Sequence, residues 1–161
     1  MPRLSRCLPR WCCFTVACVA PILLVSSAPA RDGGAQQRRD CPSGLGHRTA
    51  EEAIVEHLAL LRAGDLEAAL CDYAEDAVVI LPGQVASGID EIRIGLSGFA
   101  QLFGDAVPEV DSLTTVDAVV LLTFHVSGAD LSIPNGSDTY VVKRGLIRYQ
   151  TVHDVLVPTV Q

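Results

Sequence analysis

Two titratable side chains of this sequence, His57 and Asp138, lie in otherwise apolar segments, where a proton donor or acceptor can do chemistry. His57 shares a predicted helical face with Ile54 and Leu61, because the three positions follow helical spacing. A histidine at the floor of a pocket can donate or accept a proton near neutral pH. The position also suits a core histidine with satisfied ring nitrogens, and the pattern leaves both interpretations open.

Asp138 begins a predicted strand, and Tyr140 follows two residues later on the same face. A carboxyl group buried in a pocket has a raised pKa and can share a proton with a histidine. We therefore predict His57 and Asp138 as a catalytic pair. The alternative is an aspartate that caps the turn predicted at Asn135-Gly136.

Three further side chains are candidates for the same pocket or for plain packing. Tyr73 ends the apolar stripe of the second predicted helix, where its ring packs in the core or its hydroxyl reaches the pocket edge. His125 and His153 each alternate with polar residues along a predicted strand, on a face that is either pocket or solvent. We place Tyr140, Tyr73 and His125 in the predicted pocket.

The sequence offers little for metal or cofactor chemistry. Asp72, Glu75 and Asp76 form an acidic cluster that we interpret as a solvated helix end, since a metal site needs convergent ligands. No zinc spacing, Gly-rich phosphate loop or Gly-x-Ser-x-Gly motif is present. We predict neither a metal nor a cofactor.

The order of periodic segments predicts an α+β domain. A capping box at Thr49 and Glu52 starts a helix, Asp65 caps a second helix, and Gly88 precedes a third. Between the second and third helices, residues 77–81 predict a strand that ends at the turn of Pro82 and Gly83. From residue 110 the period changes to two, which predicts consecutive strands near residues 110–116, 118–127, 138–143 and 146–156. Helices on one face of a mostly antiparallel sheet define this class, which can enclose a pocket.

The first 30 residues predict a cleaved signal peptide. Three arginines precede a 15-residue apolar run, and Ala28-Pro29-Ala30 provides a cleavage site. The run is shorter than the roughly 20 residues that a spanning helix needs. We therefore expect a secreted or periplasmic protein with a flexible linker at 31–47 and a folded domain at 48–158.

Cleavage changes both the charge and the cysteine count. The full chain has 12 basic and 19 acidic residues, and loss of the three N-terminal arginines leaves a net charge of −10. This balance argues against nucleic acid and anionic membranes as partners. Only Cys41 and Cys71 remain, and an even pair in an exported protein favours a disulfide over two unrelated thiols.

Several stretches, taken in order, resemble the nuclear transport factor 2-like superfamily and its SnoaL-like branch. The resemblance covers residues 48–157 and rests on the helix broken by Ala-Gly-Asp at 63–65 and on the segments 73–79, 82–92, 138–142 and 145–151. It implies a cone of three helices against a bent sheet, with a pocket for a small apolar molecule and, in many relatives, a homodimer.

Ketosteroid isomerase provides the closest local comparison within that superfamily. The resemblance implies that its oxyanion tyrosine falls at His57, its oxyanion aspartate near Asp138, and its base aspartate at Leu81, directly before Pro82. Ketosteroid isomerase relies on an aspartate as its general base, and leucine cannot accept a proton. We therefore do not expect ketosteroid-type isomerisation by that route.

These observations favour three hypotheses. The first is an exported module that binds a small apolar molecule. The second is a lyase, isomerase or cyclase that uses a His–Asp proton-transfer pair. The third is a structural module that dimerises through the outer face of its sheet.

Overall fold

A computed structural model describes residues 40–159, in which helices precede and then give way to strands. The predicted signal peptide and residues 31–39 of the predicted linker lie outside this range. The elements are a 3-10 helix (Leu45–His47), α1 (Ala50–Arg62), α2 (Leu66–Leu70), β1 (Tyr73–Leu81), β2 (Gln84–Ser87), α3 (Ile89–Phe103), β3 (Glu109–Val116), β4 (Val119–Ser127), β5 (Leu131–Lys143), β6 (Leu146–His153) and β7 (Val157–Pro158).

The helix starts follow the capping chemistry of the sequence. The Thr49 side chain accepts a hydrogen bond from the Glu52 amide at 3.2 Å, and the Glu52 carboxylate accepts one from the Thr49 amide at 2.8 Å. This reciprocal pair is a capping box, which satisfies amides that the first helical turn leaves free. The Asp65 side chain caps α2 by accepting a hydrogen bond from the Ala68 amide.

One sheet carries the fold, in the strand order β2-β1-β6-β5-β4-β3, with β7 beside β5. Strand β1 pairs parallel to β6, and the other pairs are antiparallel. On β4, Val120, Leu122, Phe124 and Val126 are buried, because strict alternation directs them to the face that the helices cover. The predicted α+β class, with three helices packed on a curved and mostly antiparallel sheet, is confirmed.

The described chain includes structure before the predicted boundary at residue 48. Cys41 forms the predicted disulfide with Cys71, with the two Cα atoms 5.5 Å apart. The 3-10 helix then packs against the β5–β6 turn, where a Cβ at Gly145 would overlap the Leu45 carbonyl oxygen. The end of the expected linker therefore belongs to the folded domain.

Strand continuity also differs from the prediction in three places. The turn expected at Asn135-Gly136 is instead an irregularity inside β5, where the register with β4 shifts beside Phe124. Strand β1 begins at Tyr73 rather than at residue 77, so Tyr73 is a strand residue. The short strand β2 has no counterpart in the prediction. In the first two cases pairing with a neighbouring strand outweighs the local turn or helix signal.

Candidate functional site

A cavity of about 140 Å³ lies between the helices and the inner face of the sheet. Its walls are mainly aliphatic and aromatic side chains from α1, α3 and several strands, and Leu81 is among them. The polar residues that line it are His57, Tyr73, Asp138, Tyr140, Gln150 and Asp154. Few polar groups in an apolar cavity are typical of a site for a small molecule.

Asp138 lies in the middle of β5 and is 7% exposed. Its Oδ2 atom accepts hydrogen bonds from the Tyr140 hydroxyl at 3.0 Å and from Gln150 Nε2 at 2.8 Å. Its Oδ1 atom is buried and has no hydrogen-bond partner among the described residues. Burial raises the pKa of Asp138 to about 6, although the hydrogen bonds from Gln150 and Tyr140 act to lower it. The group can therefore exchange a proton near neutral pH.

Gln150 joins Asp138 to the other side of the cavity. Its Oε1 atom accepts a hydrogen bond from the Tyr73 hydroxyl at 2.5 Å, and its Nε2 atom also lies 3.3 Å from the Tyr140 hydroxyl. Burial, with the charge of Asp138 as the next cause, raises the pKa of both tyrosines well above the ordinary value. Both hydroxyls therefore stay protonated and act as hydrogen-bond donors.

His57 is completely buried on α1 and pairs with an aspartate that precedes β1. Its Nδ1 atom lies 3.2 Å from Asp72 Oδ2, and its Nε2 atom lies 3.5 Å from the Tyr73 hydroxyl. Arg48 donates to Asp72 Oδ1 at 2.7 Å and to the Gly145 carbonyl at 2.8 Å. In the neutral ring, the acceptor Asp72 Oδ2 places the proton on Nδ1, and Nε2 is then the acceptor atom of the ring.

The predicted pair, His57 and Asp138, lines one cavity, but no direct hydrogen bond between the two is found among the described residues. They are joined instead through Tyr73 and Gln150. The catalytic role of the pair stays a prediction.

Two members of this network are absent from the residues that the sequence singles out as candidates. The acidic cluster predicts a solvated helix end for Asp72, yet Asp72 is 1% exposed. Strict alternation from Ile147 would turn Gln150 outward, but a register shift between β5 and β6 brings both residues to the inner face. The sequence holds no signal that singles out Gln150, because β6 also contains Arg148, Thr151 and His153.

The predicted pocket residues divide into two groups. Tyr73, Leu81 and Tyr140 line the cavity. His125 does not, and its predicted placement there is wrong. It alternates with the buried Phe124 and so projects from the other face of β4, where Nδ1 lies 2.9 Å from Asp111 and Nε2 lies 3.5 Å from Glu109.

The described chain gives no sign of a metal centre or of a membrane-spanning helix. Within residues 40–159 no group of three or more His, Cys, Asp and Glu side chains converges as a metal site. No helix in the same range is long and apolar enough to cross a bilayer.

Comparison with known proteins places this geometry in a family. The SnoaL-like domain family matches residues 54–155, which is more than half of the chain. No curated protein matches the chain.

Solved structures share the fold at low sequence identity. A candidate polyketide cyclase from Sinorhizobium meliloti is 20% identical with a TM-score of 0.57, over 63% of this chain and 94% of that one. A candidate ketosteroid isomerase from Kribbella flavida is 17% identical with a TM-score of 0.59, over 66% of this chain and 77% of that one. An NTF2-like protein of unknown function from Cytophaga hutchinsonii is 16% identical with a TM-score of 0.57, over 66% and 90%. The chain belongs to the SnoaL-like domain family, a branch of the nuclear transport factor 2-like superfamily.

Proposed function

We propose that this domain binds a small, mostly apolar molecule and moves a proton on it, as a lyase, isomerase or cyclase does. The observation that supports this most is the pair of groups that line one cavity: the Asp138 carboxyl with a free Oδ1, and the His57 ring held by Asp72. An acid and a base that both reach a bound molecule are the requirement for such chemistry.

The size of the cavity restricts the ligand. A volume of about 140 Å³ is close to that of an engineered apolar cavity of about 150 Å³ that binds benzene. A six-membered ring with one polar substituent therefore matches both the volume and the small number of polar groups.

The proposed step uses the two groups in different protonation states. Protonated Asp138 donates a hydrogen bond to a ligand carbonyl oxygen, and His57 Nε2 removes a proton from the adjacent carbon. The carbon–hydrogen electron pair forms the carbon–carbon double bond of an enol as the carbonyl oxygen takes the Asp138 proton. This route needs no carboxylate at Leu81, which distinguishes it from the ketosteroid isomerase mechanism.

The test is hydrogen–deuterium exchange of cyclohexanone in D₂O, followed by the loss of its α-proton signal in ¹H NMR. General acid–base catalysis contributes about 10²–10⁴-fold, so we expect faster exchange with the protein than in buffer. His57→Gln should lose at least about tenfold of that acceleration. His125→Gln is the matched control, since His125 lies outside the cavity, and it should behave as the wild type.

The proposal also predicts the direction in which the exchange rate changes with pH. Exchange should fall as the pH rises above about 6, because Asp138 loses the proton that it donates. Asp138→Asn should remove this decline and leave exchange slow at every pH, since an amide donates a hydrogen bond but does not give up its proton to the carbonyl oxygen. If exchange never exceeds that of buffer while small rings still bind, the proton-transfer proposal is refuted and a binding module remains.

Export is a second part of the proposal and rests on the pattern of residues 1–30 and on the disulfide. Disulfides persist mainly in oxidising compartments. Expression of the full chain in a secreting host, followed by intact-mass measurement of the product, should show an N-terminus at Arg31. A product that retains Met1 would contradict it.

The homodimer implied by the family resemblance stays a prediction. Paired positions on the outer face form an apolar row across four strands, from Val119 through Val141 and Tyr149 to Val78. Val119 and Tyr149 are 42% and 45% exposed. Light scattering of the wild type and of Val119→Lys would show whether two copies associate through this row.

A further inference from the structure

In the cavity, the side-chain hydrogen-bond donors already have partners within the protein, whereas two acceptors do not. Gln150 Nε2 directs its two protons to Asp138 and Tyr140, and the Tyr140 hydroxyl donates to Asp138. The Tyr73 hydroxyl has one proton, which goes to Gln150 at 2.5 Å rather than to His57 at 3.5 Å. The His57 ring proton on Nδ1 faces Asp72. Every side-chain donor of this network is therefore already occupied.

The free positions are acceptors. Asp138 Oδ1 has no partner among the described residues, and His57 Nε2 has only the long contact with a hydroxyl that donates elsewhere. A buried acceptor without a partner is unfavourable, so a ligand that supplies the missing donor binds more tightly than one that does not. An acceptor-only ligand would leave both positions unsatisfied.

The charged groups around Asp138 disfavour an anionic ligand. The groups that face it are His57 from α1, Tyr73 from β1, Tyr140 from its own strand, and Asp154 after β6. No Lys or Arg is among the described residues that line the cavity. A ligand anion would therefore meet two carboxylates in an apolar surrounding, where repulsion is poorly screened.

We infer that, with Asp138 ionised, the cavity selects a small apolar molecule bearing a hydrogen-bond donor, a hydroxyl or a protonated amine, and rejects carbonyl-only and anionic ligands. This inference rests on the proposed function in that the cavity must bind a ligand. It adds the chemical class of the ligand and is independent of whether a proton is moved on carbon.

Four probes of one size test the ligand class: cyclohexanol, cyclohexylamine, cyclohexanone and cyclohexanecarboxylate. Binding of each to the oxidised protein at pH 8 is measured by chemical-shift titration. We expect the alcohol and the ammonium to bind at least about tenfold more tightly than the ketone, in line with one satisfied buried acceptor, and the carboxylate not to saturate.

Asp138→Asn should reverse the ligand preference, because it replaces a free acceptor with a donor of the same shape. The amide has the shape of the carboxyl, and its oxygen can keep the bonds from Tyr140 and Gln150 while its NH₂ group replaces Oδ1. The preference should then change to the ketone. If the variant does not fold, titration of the wild type at pH 4.5 serves instead, because protonated Asp138 also donates, and ketone affinity should rise.

The outcomes separate the two proposals. Equal binding of alcohol and ketone at pH 8, or tight binding of the carboxylate, overturns the inference and leaves the proposed function standing. Absence of binding by all four probes overturns both. Alcohol selectivity without any exchange of cyclohexanone at low pH supports the inference and refutes only the proton transfer.

Discussion

The buried charge pair beside the cavity gives a stability prediction that can be worked from the structure. The side chains of Arg48 and Asp72 are 9% and 2% exposed, and the Arg48 Nη1 atom lies 2.7 Å from Asp72 Oδ1. Asp72 also accepts from His57, so one carboxylate satisfies two buried groups. Asp72→Asn keeps the shape and removes the charge.

The expected loss of stability follows from the buried Arg48 charge that the substitution leaves without its partner. Removing one partner of a buried ion pair costs about 3–5 kcal/mol, because the other charge stays buried. Arg48 keeps its bonds to Glu56 and to the Gly145 carbonyl, so we expect the lower end of that range, about 3 kcal/mol. For a domain of about 120 residues this corresponds to a fall in Tm of roughly 12 °C.

The assay is urea unfolding at pH 7, with the disulfide intact. Asp90→Asn is the matched control, since Asp90 pairs with Arg93 at 2.9 Å but is 87% exposed. Exposed pairs contribute about 0–1 kcal/mol, so the control should change the free energy of unfolding by less than about 1 kcal/mol. A loss at Asp72→Asn as small as that of the control would refute the view that Asp72 is a buried charge on which Arg48 and His57 depend.

Three further predictions concern stability. The pKa of Asp138 is raised to about 6 from an ordinary value of 3.8, so the folded state binds a proton more tightly than the unfolded state does. This proton binding stabilises the fold fully below about pH 4, and the stabilisation is lost as the pH rises through 6. Urea unfolding between pH 4 and 7 should show this loss, of order 2–3 kcal/mol, in the wild type and not in Asp138→Asn. Reduction of the Cys41–Cys71 disulfide opens a loop of 30 residues and should cost about 3–4 kcal/mol in the loop-entropy model; unfolding curves with and without reductant that coincide would contradict it. Gly145→Ala places a Cβ against the Leu45 carbonyl oxygen at a φ of +66°, whereas the Cβ of Gly83→Ala, at a φ of +80°, meets nothing within 4 Å. Both variants suffer the strain of a left-handed alanine, about 1–2 kcal/mol. Thermal unfolding should therefore show a clearly larger fall in Tm for Gly145→Ala than for Gly83→Ala.

Local signals in the sequence were sufficient for the three α-helices and for most of the strands. The capping box at Thr49, the alternation along β4 and the position of Tyr140 follow from nearest neighbours along the chain, and the structure has them as expected. The disulfide between Cys41 and Cys71 could also be predicted, because only two cysteines remain after the predicted cleavage. These features depend on helix periodicity, strand periodicity and counting, which need no knowledge of the rest of the fold.

The arrangement of the site was decided by tertiary structure. Gln150 faces the cavity because β6 shifts register against β5, and one residue of shift exchanges the two faces of a strand. His125 faces outward because the helices cover the other side of β4. Two distant segments hold Asp72 in the interior: Arg48, 24 residues earlier, donates to its carboxylate, and the amide of Ile147 donates to its backbone carbonyl. The sequence by itself determined the α+β elements and the candidate residues His57 and Asp138. Only the pairing of distant segments decided which polar groups meet in the cavity, since those contacts depend on register and packing rather than on local pattern.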